Sequence, residues 1–329
     1  MRQEQQQRVV SGARISGRLH LGNYLGAISN WVRLQEDYDC FFFCADWHGL
    51  TTGYEDTSGF MKQTEETFLD IVACGIDPQR CVFFVQSDVK EHAELYLLLS
   101  LITPLGWLER VPTYKEQLQN ITGREITTHG FLGYPVLQSA DVLLYRGQLV
   151  PVGEDQLPHL ELCREIARRF NHLYQPIFPE PQALLTKTPN LLGIDGRKMS
   201  KSYGNEIPVS AAPKEIKQKV SMMVTDPQRV RRIDPGDPEV CAVHSFHGLF
   251  GQEQGAMAEG CRDASIGCVE CKKRLTAALE EYLAPIWDKR QELLKNPSRL
   301  GDIRRAGAEK ARNVAQSMLE QIRSAMRVG

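Results

Sequence analysis

The run Cys40-Phe41-Phe42-Phe43-Cys44-Ala45 constrains what this chain can fold into more than any other stretch. Six consecutive apolar residues without polar alternation fit a strand covered on both faces, as in a parallel sheet flanked by helices. A second run, Cys81 to Val85, repeats the pattern. Between them lies helical spacing from Phe60 to Cys74, with Gly75 where a helix cap belongs. Strand, helix and strand in that order predict a right-handed crossover. Val9-Val10 marks an earlier strand, leading through a glycine-rich turn into Tyr24, Leu25, Ile28, Trp31 and Val32 at helical spacing. Leu149 to Val152 marks a later one, followed by a helix over His159 to Phe170 with Leu160, Cys163 and Ala167 on one stripe. The expected fold class is α/β, with a doubly wound parallel sheet.

Beyond Pro208 the β-branched runs stop, and from Lys272 onward the pattern is helical, with breaks expected near Pro285 and Pro297. We place a boundary at residues 205–210, giving an α/β domain over 1–205 and a helical domain over 206–329. A chain of 329 residues has room for both, at roughly 150 residues per domain. A net charge of -2 argues against a protein that coats nucleic acid along its whole surface, and leaves room for a regional basic face. No apolar run is long enough to span a bilayer, and the polar stretch Met1 to Arg8 lacks the apolar core of an export signal, so the cytoplasm is the expected location.

In that reducing compartment the nine cysteines are not read as a disulfide framework, and their spacing matters more than their number. Cys241, Cys261, Cys268 and Cys271 close with a Cys-x2-Cys pair. Four thiolates suit tetrahedral zinc or an iron-sulfur cluster, and spacing does not separate the two. His244 and His247 stand near enough to substitute in a zinc site. Cys40, Cys44, Cys74, Cys81 and Cys163 sit on apolar stretches and read as small core residues.

Two segments suit phosphate. Ser11 to Asn23 lies between the first strand and first helix, where glycines admit a ligand to the backbone and a helix start offers free N–H groups. Taken alone it reads first as a plain tight turn and only second as a nucleotide site. Lys198-Met199-Ser200-Lys201-Ser202 is flanked by Gly196 and Gly204; two lysines and two hydroxyls can neutralise a pyrophosphate as its charge develops, or can be a solvated charge run.

Together, His20-Leu21-Gly22-Asn23 and Lys198 to Ser202 resemble the two signatures of class I aminoacyl-tRNA synthetases, in order and in separation. Tyr134-Pro135-Val136-Leu137-Gln138-Ser139-Ala140-Asp141 and Val150-Pro151-Val152-Gly153-Glu154-Asp155-Gln156 are similar to segments of the tryptophanyl members. The resemblance runs from about Val10 almost to the carboxy terminus. It implies a Rossmann-like sheet and a tryptophan--tRNA ligase that uses ATP and Mg2+, with catalytic roles for His20, Lys198 and Lys201. ATP contacts would come from Arg14, Ile15, Ser16, Gly22, Asn23, Gly153, Glu154, Asp155, Met199, Ser200 and Ser202 together with the two lysines. Tryptophan would be held by Asp141, Tyr134, Gln138, Gln156 and Val10. Indole is a flat apolar body with one donor, so apolar walls and a single acceptor at Asp141 suit it.

The resemblance further implies a homodimer, tRNA(Trp) as partner and a [4Fe-4S] cluster on the four cysteines, zinc being the alternative. Many bacterial relatives have Phe, Met and Gln where Val10, Gln138 and Arg14 stand, which puts the packing of the tryptophan pocket in doubt. The basic residues Arg304, Arg305, Lys310, Arg312, Arg323 and Arg327 lie off the apolar stripe of the helix predicted over Glu309 to Arg327, where they can meet RNA phosphates or solvent. A tyrosyl enzyme, and a paralogue that binds nucleotide without charging tRNA, are the rival readings.

Overall fold

The computed structural model describes residues 6–112, 128–185, 191–251 and 253–329; most of the polar amino-terminal stretch read above lies outside them. Five strands, β1 (Arg8–Arg14), β2 (Asp39–Ala45), β3 (Val82–Val85), β4 (Leu149–Val152) and β5 (Gln182–Leu185), form one sheet in the order β3-β2-β1-β4-β5. All pairings are parallel, with Val10 beside Phe41 and Phe42 beside Phe83. The order reverses between β1 and β4, and at such a switch point the strand ends diverge to leave a crevice.

Helices cover both faces. In chain order they are α1 (Leu21–Asn23), α2 (Ser29–Leu34), α3 (Asp46–Gly53), α4 (Phe60–Ala73), α5 (Glu91–Ser100), α6 (Leu105–Glu109), α7 (His129–Leu143), α8 (Leu157–Leu173), α9 (Pro213–Met222), α10 (Ala242–Phe250), α11 (Gln254–Arg262), α12 (Cys268–Lys295) and α13 (Pro297–Met326). Between α1 and α2 the turns widen into a π-helical stretch, Tyr24–Ile28, a local irregularity that is frequent at functional sites. The apolar run of β2 is buried on both sides, as its composition demanded: Cys40, Phe42 and Cys44 face one core with Phe68 and Trp31, while Phe41 and Phe43 face the other with Phe84 and Tyr145. Trp31 stacks on Phe42 at 4.6 Å and Phe68 on Phe83 at 4.5 Å. Gly75, just past α4, has φ +113, which only glycine tolerates readily.

One expectation needs correction. Pro285 does not break a helix: α12 runs 28 residues through it, because Leu279, Leu283, Ile286 and Leu293 on either side are locked in the core. The last helix, α13, returns to the sheet, with Ala308, Ala311, Ala315, Met318, Leu319 and Ile322 in the same core as Phe84. Its Gly307 lies so close to β3 that an added Cβ would stand 1.8 Å from the Phe83 carbonyl oxygen.

Candidate active site

The crevice at the switch point is a cavity of about 430 Å³ at the carboxy-terminal ends of β1 and β4. Val10 and Arg14 reach it from β1, Gly153 and Gln156 from the end of β4, and Tyr134, Gln138 and Asp141 from α7. Arg14 donates to the Thr52 hydroxyl.

Asp141 is 2% exposed, and its carboxylate is held by groups the sequence had not singled out. His48 Nε2 lies 2.8 Å from Oδ2; His92 Nδ1 and Gln86 Nε2 each lie 2.7 Å from Oδ1. Burial alone would raise this acid, but the hydrogen bonds and nearby charges of His48 and His92 outweigh it, so it sits below the usual carboxylate value. An ionised carboxylate only accepts, so both imidazoles present an N–H to it. The Tyr145 hydroxyl lies 2.7 Å from His92 Nε2, and burial keeps that phenol protonated. Two oxygens offer roughly four lone-pair sites. Three protein donors occupy three, leaving one acceptor position on a carboxylate that lines the cavity. The Tyr134 hydroxyl and His159 Nε2, both also lining the cavity, lie 3.2 Å apart.

The two phosphate-suited segments meet beside this cavity. His20 is the cap of α1: its Nδ1 accepts from Asn23 N at 3.3 Å and its own N–H donates to Asn23 Oδ1 at 3.2 Å. That role requires a neutral ring, and burial, with Lys201 nearby, pushes His20 down to about 4. An added Cβ on Gly22 would stand 3.0 Å from the His20 ring and 3.8 Å from Met199 Cβ, so the two segments are in contact there. Lys201 Nζ donates to the Ser16 carbonyl, and burial lowers its affinity for a proton. Ser200 and Ser202 hydroxyls lie 2.8 Å apart, and Lys198 is exposed. Asn205 shapes this loop: it is 2% exposed, accepts from Ser200 N at 2.7 Å, and donates to Asp195 Oδ1 at 2.7 Å and to Lys198 O at 3.2 Å. Glu154 and Asp155 project as exposed groups on a single turn before α8, where Gln156 donates to Asp155 at 2.8 Å. Ile15 is buried behind the segment.

The four carboxy-terminal cysteines also converge. Cys241 precedes α10, Cys261 ends α11, and Cys268 and Cys271 lie in the first turn of α12. Burial, then the neighbouring Cys241, Cys261 and Cys268, push the Cys271 thiol up to about 12. Arg229 donates to Cys261 Sγ at 3.6 Å, and His247 Nε2 lies 3.4 Å from Cys271 Sγ. Four sulfurs beside a guanidinium are a donor set that fits a thiolate-held metal group, although among the described residues no three His, Cys, Asp or Glu groups stand at metal-holding spacing.

The basic residues of α13 are partnered within the chain. Arg304 grips Asp88 at 2.6 and 2.8 Å and Arg323 grips Glu94 at 2.6 and 2.8 Å. Arg312 donates to Asp88 O, Lys310 to Pro78 O, and Arg305 pairs with Asp302. Arg304, Arg312, Lys310 and Arg323 thus tie the helix to the turn after β3, to Pro78 and to α5, which the spacing of basic residues alone does not reveal.

A parallel sheet with this switch-point cavity and two facing phosphate-type loops defines a class I synthetase core. The family model described as tRNA synthetases class I (W and Y) matches residues 2–284, and the chain belongs to that family. It is 51% identical over 323 residues to a tryptophan--tRNA ligase of Thermotoga maritima, covering 97% of this chain and 98% of the relative. It is 46% identical to one of Aquifex aeolicus, covering 97% and 99%. The crystal structure of tryptophanyl-tRNA synthetase from Campylobacter jejuni complexed with ADP and tryptophan superposes with a TM-score of 0.89 at 37% identity, over 98% of this chain and 100% of that one. Within the family the enzyme is a tryptophan--tRNA ligase: it activates L-tryptophan with ATP and transfers it to tRNA(Trp).

Proposed function

We propose that tryptophan occupies the cavity with its indole N–H on the open acceptor position of Asp141, and that ATP lies across the two phosphate-suited segments. The observation that carries this is the buried, ionised Asp141 with three protein donors already in place, because a pocket with one acceptor position left open rejects a side chain that offers no donor. In this reading Val10 and Gln138 form the walls, and Tyr134 and Gln156 hold the ammonium end. Arg14, Ile15, Ser16, Gly22, Asn23 and Gly153 to Asp155 cradle ATP, and Met199, Ser200 and Ser202 close over its phosphates.

The tryptophan carboxylate attacks the α-phosphorus and pyrophosphate leaves; no side chain becomes covalently attached, since the reaction needs alignment and charge stabilisation. Lys198 and Lys201 neutralise the departing pyrophosphate. His20 acts as a neutral cap that fixes the start of α1 and exposes its N–H groups to phosphate, and Mg2+ accompanies the ATP. Exchange of labelled pyrophosphate into ATP tests the reading: it should depend on tryptophan and not on tyrosine, and equal exchange with both would overturn it.

In the same reading residues 1–205 carry activation, residues 206–329 form the helical part that meets tRNA, and the enzyme works in the cytoplasm. Exposed Lys273, beside the cysteines, suits an RNA phosphate; Lys273→Ala should lower charging of tRNA while sparing exchange, and loss of both would remove that assignment. Exposed Leu97, Leu101 and Leu105 make an apolar ridge on α5 and α6 that supports a homodimer; a monomer in sedimentation at micromolar concentration would refute it. Cys241, Cys261, Cys268 and Cys271 would hold a [4Fe-4S] cluster, or zinc, that orders the turns around α10 to α12. Protein purified without oxygen should be brown, with about four iron and four sulfide per chain. Colourless protein with stoichiometric zinc would replace iron by zinc.

A further inference from the structure

The segment that begins at Ser16 is held from behind by α4. Thr67 Oγ1 donates to Gly17 O at 2.9 Å and lies 3.3 Å from Ser16 N, and Asp70 Oδ2 accepts from Leu19 N at 2.8 Å. Asp70 is wholly buried in the middle of an apolar helical stretch. Its other oxygen accepts from Arg290 Nε at 2.7 Å, and the Arg290 guanidinium also pairs with Glu66. Arg290 belongs to α12 and is 8% exposed. It interrupts the buried stripe Leu275, Leu279, Leu283, Ile286, Leu293 at a position where an apolar residue would pack without any desolvation cost. Two turns earlier on α12, Tyr282 meets Tyr24, the residue that follows Asn23, with rings edge to face at 6.3 Å.

A buried ion pair is weak evidence for stability, because desolvating both charges offsets much of their attraction. What a carboxylate gives here and a leucine does not is a fixed acceptor for the Leu19 N–H, immediately before the His20 cap. We propose that Arg290 and Asp70 are positioning residues for adenylate formation. Arg290, from the carboxy-terminal helices, orients Asp70; Asp70 fixes Leu19, and through Leu19 sets the register of His20, Gly22 and Asn23 against ATP. The proposal rests on the assignment of that segment to ATP. Neither side chain touches the reacting atoms, so both act through backbone placement, where small displacements are costly.

The test uses the full-length enzyme in pyrophosphate exchange, with kcat and KM determined separately for ATP and tryptophan. Arg290→Met should lower kcat/KM for ATP on the order of 10- to 100-fold. The tryptophan dissociation constant, read by fluorescence without ATP, should stay within about twofold. Adding Asp70→Asn should restore part of the ATP-selective loss, because it removes the uncompensated charge and keeps an oxygen for Leu19; a rescue of stability in urea without any return of kcat/KM for ATP would overturn the positioning role. If Arg290→Met does not fold, Arg290→Lys keeps the charge but cannot span Asp70 and Glu66 with one fork, and is read the same way. An ATP-selective loss supports the proposal; no loss, or an equal loss for both substrates, overturns it. No exchange by the unaltered enzyme would overturn the assignment to ATP and this proposal with it, whereas an active parent with an unchanged Arg290→Met overturns the proposal alone.

Discussion

Asp141 and Asp70 are both buried carboxylates within helices, one at the front of the sheet and one behind the loop, and their surroundings drive them in opposite directions. Around Asp141, burial is outweighed by the hydrogen bonds and charges of two imidazoles, and the acid is held below its ordinary value. Around Asp70, burial wins over Arg290, the Leu19 N–H and Ser210, and the acid is raised. The front carboxylate is arranged to stay ionised with an acceptor position open to the cavity, while the rear one is arranged to hold backbone. Burial alone therefore says little about what an aspartate does; the kind of donor and where the remaining lone pair points say more.

The largest expected effect lies between the two, at Lys201, which touches the same segment from the front that Asp70 holds from the rear. Lys201→Ala should lower the rate of adenylate formation by on the order of 10²- to 10³-fold, as removal of a transition-state donor does, with tryptophan affinity unchanged. An equal loss in both would move Lys201 from transition-state stabilisation to general binding. Next, Asp141→Asn should weaken tryptophan binding by roughly 10- to 100-fold while leaving ATP binding alone, since it removes the charge from the hydrogen bond to indole. Titration calorimetry showing ATP weakened to the same degree would break the contrast between front and rear.

The smallest effect is a pH dependence. Burial pushes both His20 and His159 down to about 4 from an ordinary 6.5. The unfolded chain takes up protons below 6.5 that the fold refuses until about 4, so stability from the neutral rings is complete above pH 6.5 and is lost as pH falls towards 4. Asp70, being raised, works with the opposite sign and gains a proton in the fold first. Urea unfolding at pH 7 and pH 5 should show His159→Gln losing about 1 kcal/mol less on acidification than the parent; an identical loss would mean that His159 is not held neutral by the fold.

Much of the sheet was legible because β1 to β4 announce themselves by apolar runs, and Gly75 by the cap it forms. The strand β5 was not: Gln182–Leu185 lies at the sheet edge with no residue fully buried, and its short run Ala183-Leu184-Leu185 did not stand out. Of the site, the resemblance to the tryptophanyl enzymes pointed to residues that the cavity gathers, Val10, Arg14, Tyr134, Gln138, Asp141, Gly153 and Gln156. It missed their support. His48, His92 and Gln86 come from three separate elements and meet only through the fold. Asp70 and Arg290 left a faint signal, each a charge inside an apolar helical stripe, and that signal becomes a pair only when α4 and α12 are placed side by side. Asn205 was in view beside the lysine loop, but its three hydrogen bonds depend on a turn that no spacing encodes.

The seat of Gly307 on the Phe83 backbone also has a consequence for the order in which the chain is made. The ribosome delivers β3 well before the helix that covers it, so the face of Phe84 has no partner from α13 until that helix has been made. Native closure of the catalytic sheet thus waits until α13 has been made, and during that wait the open core is a surface for chaperones or for aggregation. A premature stop before α13 would leave the cell with an unfinished core rather than with an enzyme lacking an accessory helix.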